Sequence, residues 1–256
     1  MAQESEEQLG SQTIIDVNEF VKGSVPQAID MEASTGPAGG ERKLPVSDFK
    51  IRLADTMGRR SSASLLIEKM YSWRGYQTTS GHADPRPNRV TLVASAAEQT
   101  IGTITIGFDS EVGLLVDQLY KAEIDPMRAA GRSLCEFTKL AVDASVRSKR
   151  VLASLFHIAH IFAHHIRGCS HLMIEVNPRH VKFYQQMLGF TRVGQEKLNP
   201  RVNAPAVLLI LNLRFVHEQI QKFGGHSELG VTEKTLYPFS FSPAEEKGIV
   251  GRLSQL

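Results

Sequence analysis

The stretch from Leu134 to Phe190 limits the possible folds more than any other part of the chain. Leu134 to Val142 reads as a strand, Lys149 to Arg167 as a long helix closed by Gly168, and His171 to Val176 as a short apolar strand. Asn177-Pro178 then starts a further helix, because proline at the first helical position gives up an N–H that would lack a helical partner anyway. Gly189 stops that helix after Leu188. Apolar helices set between short strands have to cover a sheet. The Val151 to Ile166 run contains four histidines and is followed by an arginine, so it is expected to be a buried helix rather than a membrane span.

The segments around it agree. Phe49 to Ala54 alternates like a first strand, and Ser61 to Trp73 carries Leu65, Leu66, Lys69, Met70 and Trp73 at helical spacing. Arg89 to Ser95 and Thr100 to Phe108 read as a hairpin, Val112 to Tyr120 as a short helix, and Phe190 to Gly194 with Ala206 to Leu213 as the last strands. The order β, α, β, β, short helix, β, α, β, α, β, β predicts an α/β fold with a mixed sheet and helices on its faces.

Residues 1–47 are rich in Glu, Gln, Ser, Gly and Pro and are expected to form a mobile arm. Residues 48–221 carry the domain, and residues 222–256 form an extension in which Pro238 and Pro243 argue against a further core strand. With 29 Lys+Arg against 27 Asp+Glu, the charge balance gives no reason to expect a nucleic-acid partner. Cys135 and Cys169 are the only cysteines, lack the paired spacing of a zinc site, and are read as reduced. The acidic amino terminus lacks the basic and apolar regions of a secretory signal, so the expected location is cytoplasmic.

Asn177-Pro178-Arg179-His180-Val181-Lys182-Phe183-Tyr184-Gln185-Gln186-Met187-Leu188-Gly189-Phe190 resembles the closing motif of the GNAT acyltransferase superfamily, and Thr100 to Ile106 stands where that superfamily has its third strand. Glu136-Phe137-Thr138-Lys139-Leu140-Ala141-Val142-Asp143 is similar to a motif shared by acyl-homoserine lactone synthases and the related N-acyl amino acid synthases. Gly113 to Asp117 and Arg128 to Arg132 resemble the latter more closely. The resemblance covers Phe49 to Leu213. It implies a GNAT fold, with a mostly antiparallel sheet and a bulged central strand, and an acyl carrier protein as donor partner.

The chain departs from acetyl-CoA-using relatives before the long helix. Such enzymes have a glycine-rich turn there, so that bare N–H groups can approach a pyrophosphate. Here Arg147, Lys149 and Arg150 stand in its place, suited to the phosphate of a phosphopantetheine arm or to acidic side chains of a carrier protein. The donor is therefore expected to be the acyl-phosphopantetheine of acyl carrier protein, with a CoA thioester as the alternative and no permanently bound cofactor. Thr78 to Asn88 offers only Asp84 beside His82, Arg86 and Arg89, which disfavours a cationic lactone precursor.

Amide formation from a thioester needs a deprotonated amine, a stabilised oxyanion and a leaving thiol. Glu136 is the candidate general base, the alternative being a strand glutamate paired with a nearby cation. A bulge, implied by the resemblance, would expose backbone N–H groups near Phe137, Leu140 and Ala141 for the oxyanion. Tyr184 is the candidate acid for the thiol, or simply packs. Lys139 is either an acceptor-binding cation or a solvated lysine, and Tyr71 and Trp73 either line the acceptor or acyl pocket or belong to the core. His157, His160 and His164 fall opposite Val151, Leu155, Phe162 and Ile166 on the helix, so they are expected to face solvent or a loop, and no metal is expected. Cys135 reads as packing rather than as a nucleophile.

The expected activity is transfer of a medium- or long-chain acyl group to the amine of an amino acid or similar small acceptor, with peripheral membrane contact only through the lipid product. The competing readings are an acetyl-CoA-dependent N-acetyltransferase and a non-catalytic module that binds acyl carrier protein or a lipid.

Overall fold

The computed structural model describes residues 13–16, 48–73, 88–146 and 148–255. Its elements are β1 (Thr13–Asp16), β2 (Lys50–Leu53), α1 (Met57–Trp73), β3 (Arg89–Ala96), β4 (Gln99–Phe108), α2 (Asp117–Ala129), β5 (Leu134–Val142) and α3 (Lys149–His160), which continues as a π-helical turn over Ile161–Ile166. There follow β6 (His171–Val176), α4 (Val181–Leu188), β7 (Thr191–Arg192), β8 (Lys197–Asn199), β9 (Ala204–Asn212), α5 (Leu213–Phe223) and α6 (Pro243–Leu253).

The strands lie in the order β1-β2-β3-β4-β5-β6-β9-β7, with β8 also paired to β9. Only β5 and β6 are parallel among the described strands. Their connection has to cross the sheet, and α3 makes that crossing. The β3–β4 hairpin turns on Ala97 and Glu98, both at positive φ (45° and 63°), as a two-residue turn between twisted strands requires.

α3 buries Val151, Leu155 and Ile158 in the main core against Leu92, Ile104 and Phe137 of the sheet. The opposite face is covered by α2, whose Tyr120 and Ile124 join Leu134, Met173 and Leu208 in a smaller cluster. Cys135 and Cys169 are buried free thiols, and burial pushes the Cys135 thiol well above its ordinary pKa, which suits packing.

Three expectations change. Val112 to Tyr120 is not a helix: the chain turns tightly up to Val116, and α2 runs on from Asp117 to Ala129. The reason is local, since Asp117 Oδ2 accepts the N–H of Leu114 at 2.6 Å and the N–H groups of Leu115 and Val116 are taken by Glu136. Within residues 1–47, Thr13–Asp16 pairs antiparallel with β2 and buries Ile15, so this part of the expected arm is an edge strand; the rest lies outside the described residues. His157 and His160 do not face solvent, and His157 meets the loop at Phe241, whose N–H its Nδ1 accepts at 3.1 Å. Both are buried, because Tyr237, Phe241, Ile249 and Leu253 of the C-terminal extension pack into the main core over this side of α3.

Candidate active site at the fork of two strands

β5 and β6 pair at three positions only, Leu134 with His171, Cys135 with Leu172 and Glu136 with Met173. Beyond them β5 continues along β4 and β6 along β9, so the two strands part and leave a fork in the sheet. The cause lies in β5. Thr103 faces Ala141 and Thr105 faces Thr138, so Ile104 stands opposite both Lys139 and Leu140, and Lys139 takes a positive φ of 53°. Such a bulge bends the strand. Phe137, Leu140 and Ala141 lie on the stretch of β5 past the fork, where no strand among the described residues pairs on the β6 side.

Glu136 stands at the apex, fully buried. Its Oε1 accepts from Arg89 Nη2 at 2.6 Å and from the Leu115 N–H at 3.0 Å, and its Oε2 accepts from the Val116 N–H at 3.1 Å. Gly107 makes room for this pair, since a Cβ there would lie 2.9 Å from Glu136 Oε1. The turn that supplies the two N–H groups is braced from behind. Arg128 forks onto Asp109 and Asp117 with distances of 2.7 to 2.9 Å, and the hydrogen bonds to Asp117 and Asp109 raise its pKa further above its ordinary value.

The same turn connects to a second carboxylate. Arg201 donates to the Leu115 carbonyl at 3.0 Å and to Glu175 Oε2, which also accepts from Asn199 Nδ2 at 2.8 Å. Glu175 lies on β6, two residues past the last β5–β6 pair, on the same face as Met173. Its Oε1 is buried with no hydrogen-bond partner among the described residues. Burial pushes its pKa from 4.5 up to about 7, with the negative charge of Glu136 adding to the rise and Arg201 opposing it. Two carboxylates at one fork thus differ sharply: Glu136 has all its strong contacts made, whereas Glu175 keeps one oxygen open near neutral pKa. The sequence signal for Glu175 was a lone carboxylate inside an apolar strand; nothing local marked Arg201.

On the other face, behind Phe137, a narrow, mostly apolar cavity of about 20 Å³ runs between the sheet, α3, α5 and the C-terminal extension, lined by Phe137, Ala153, Phe156 and Leu172 and reaching Tyr237 and His160 at its far end. Aromatic rings lead to it: Phe137 and Phe156 are 6.2 Å apart, Phe156 and Tyr184 6.5 Å, and Tyr184 and Phe190 5.7 Å. Tyr184 is therefore held in an aromatic stack at the edge of the core. Tyr71 packs with Met70 and Leu66 against Ala141, which places α1 over the far arm of the fork. Trp73 ends α1, and its side chain lies outside the described residues.

The expected cationic group is divided. Arg147 lies outside the described residues. Lys149 Nζ sits 5.3 Å from the Phe239 ring. Arg150 is largely buried, which lowers its pKa against the opposing field of Glu245, and its Nε has no partner among the described residues. At the helix start, Ser148 Oγ already accepts the Val151 N–H at 3.4 Å, a donor that a pyrophosphate-binding turn would leave open.

A sheet forked beside a bulged central strand, with a crossing helix that starts at the fork, defines the GNAT class of acyltransferases. The sequence profile of the N-acyl amino acid synthase FeeM matches residues 62–212. The solved structure of FeeM, from uncultured soil microbes, is 31% identical, superimposes with a TM-score of 0.60, and is covered over 97% of its length by 66% of this chain. A putative N-acetyltransferase from Lactobacillus plantarum is 14% identical, with a TM-score of 0.49 over 64% of this chain and 98% of its own. The CoA-dependent acyl-homoserine lactone synthase MesI is 14% identical, with a TM-score of 0.43 over 64% of this chain and 88% of its own. A search of curated proteins gave no match. The chain belongs to the FeeM family of N-acyl amino acid synthases and is an N-acyltransferase by that membership. No helix among the described residues is long and apolar enough to cross a membrane.

Proposed function

We propose that the protein moves a medium- or long-chain acyl group from the phosphopantetheine thioester of acyl carrier protein to the amine of an amino acid or similar small acceptor. The observation that carries this reading is the fork between β5 and β6, together with the cavity that Phe137, one residue past the last β5–β6 pair, lines on the α3 face. An extended pantetheine arm can take the edge of β5 that β6 abandons, and an acyl chain can enter the cavity by turning its lining side chains aside, whereas an acetyl group would need no such space. The capped start of α3, whose Ser148 side chain takes the Val151 N–H, disfavours a CoA pyrophosphate there.

Glu175 accepts the proton of the acceptor ammonium, since a carboxyl with pKa near 7 and an open oxygen is matched to that task. The freed amine attacks the thioester carbonyl, backbone N–H groups of Phe137, Leu140 or Ala141 receive the oxyanion, and the C–S bond breaks as the amide forms. Tyr184 protonates the leaving thiolate and regains its proton from the second one that the nitrogen sheds as the amide forms. Glu136, engaged on both oxygens, acts as a positioning residue that fixes Arg89 and the turn up to Val116. Lys139 and Tyr71, at the bulge and on α1, border the acceptor. The cytoplasm, where acyl carrier protein and amino acids are both present, is the proposed location.

The test is to offer the purified protein the same fourteen-carbon acyl group on carrier protein and on CoA, with an amino-acid mixture, and to detect N-acyl amino acids by mass spectrometry. Product from the carrier-borne donor supports the reading. Turnover with acetyl-CoA or acyl-CoA alone would sink the carrier-protein assignment, and binding of acyl carrier protein without any product would favour a non-catalytic module.

A further inference from the structure

Away from the fork, on the side of α3 that the C-terminal extension covers, lies a cluster of imidazoles around one carboxylate. His160, His165, His217 and Glu246 each offer a ligand atom, and these four atoms lie within 4.8 Å of one another. The π-helical turn is what brings the first two together. In an α-helix residues five apart point about 140° away from each other, but a π turn closes hydrogen bonds five residues apart and puts them on one side. The ring centroids of His160 and His165 are accordingly 5.6 Å apart.

The ligand atoms are held in place. Glu246 Oε2 accepts from Gln221 Nε2 at 2.9 Å, which leaves Oε1 turned to the imidazoles. His165 Nε2 is 2.9 Å and His217 Nδ1 3.8 Å from that oxygen. His157 takes a supporting position: its Nδ1 accepts the Phe241 N–H at 3.1 Å, so its proton resides on Nε2, aimed at Glu246 Oε1 across 3.6 Å. This is the arrangement that orients a carboxylate ligand from behind.

His160 is the independent sign that something belongs here. It is buried, and neither of its ring nitrogens has a hydrogen-bond partner among the described residues. A buried imidazole that meets no donor or acceptor calls for an unseen water or ion.

We propose that His160, His165, His217 and Glu246 form a closed, four-coordinate site for a divalent transition metal, Zn²⁺ by ligand type, that fastens the C-terminal extension to the acyltransferase domain. Three nitrogens and one carboxylate oxygen suit Zn²⁺, and four protein ligands mark a structural rather than a catalytic ion. Bonds of about 2.0–2.1 Å need the ligand atoms to draw in by roughly 1 Å, within reach of side-chain rotation. The ligands come from the π-extended α3 on one side and from α5 and α6 on the other, so the ion would bridge the domain and elements beyond residue 212, where the FeeM match ends.

The test uses the full chain without a histidine tag, stripped with EDTA and then titrated with Co²⁺ and Zn²⁺. One equivalent of Co²⁺ should bind with the intense visible absorption of a tetrahedral ion, Zn²⁺ should bleach it, and saturating Zn²⁺ should raise the unfolding midpoint by roughly 5–10 °C. His165→Gln and His217→Gln change partly exposed side chains and should leave the fold intact while losing both the spectrum and the shift. His226→Gln, at the exposed His226–Glu228 pair, should retain both. Absence of stoichiometric Co²⁺ binding by the wild-type chain, or binding unchanged in the His165 and His217 variants, would overturn the proposal.

Discussion

Replacing Glu136 by Gln tests the architecture of the fork most directly. The amide keeps the volume but has one acceptor oxygen where the carboxylate has two, and all three of its neighbours are donors: Arg89, the Leu115 N–H and the Val116 N–H. Whichever way the amide is turned, its NH₂ meets a donor, and the Arg89 guanidinium loses the charge of Glu136. Removing one partner of a buried pair costs about 3–5 kcal/mol, and since the amide keeps part of the hydrogen bonding we expect about 3 kcal/mol. That corresponds to a fall in unfolding midpoint of roughly 6–12 °C for a chain of this size. Urea unfolding of Glu136→Gln, Arg89→Met and the double variant should show a coupling of at least about 2 kcal/mol, because the double variant leaves no buried charge unmatched. Additivity within about 0.5 kcal/mol would refute the pairing. A second readout separates positioning from proton transfer: residual turnover of Glu136→Gln should keep the ascending limb of its pH–rate profile, with the midpoint moved down because the Glu136 charge no longer raises Glu175, and loss of that limb would make Glu136 the base instead.

The other expectations concern the surroundings of the fork. The kcat/KM profile should rise with an apparent midpoint near 7, and Glu175→Gln should remove that limb; a limb that survives in the variant refutes Glu175 as base. Because the folded-state pKa of Glu175 is raised from 4.5 to about 7, the folded chain holds this proton more tightly than the unfolded one, so its contribution is full below the lower value and lost as pH rises through the upper. Stability should therefore decline between these pH values in the wild type, and less steeply in Glu175→Gln, as read by urea midpoints. Ala153→Leu projects into the apolar cavity and should shift acyl preference to shorter chains in a competition of mixed acyl donors, at a stability cost of about 1–3 kcal/mol; an unchanged product distribution counts against the cavity as acyl site. Gly107→Ala places a Cβ 2.9 Å from Glu136 Oε1 and should lower both the unfolding midpoint and turnover, with a neutral result showing that the pair can move freely. Tyr184→Phe should preserve the midpoint while slowing thiol release, measurable by single-turnover kinetics.

Much of the sheet was legible because the signals behind it are local. Strand alternation, the Asn177-Pro178 start and the Gly189 stop, with φ 81° at Gly189, are properties of neighbouring residues, and the elements they mark lie where expected. The Val112 to Tyr120 segment was misread because its apolar residues follow a helical period while its N–H groups are claimed by Glu136, some 20 residues away in sequence. Arg201 and Glu175 meet across a similar gap, which no spacing announces. The burial of His157 and His160 escaped the sequence for a further reason. Their helix has two apolar partners, the sheet and the extension, and periodicity counted only the first.

By itself the sequence determined most of the element order from β2 to β9, and the bulged strand through its family motif, because backbone preference and apolar period are written residue by residue. Only the tertiary structure decided that Glu136 is fully engaged and Glu175 is not, since a carboxylate's pKa and free lone pairs depend on which distant donors the fold brings to it. The same holds for His160, His165, His217 and Glu246: one π turn and two later helices bring them together, and no reading of their separate spacings could do so.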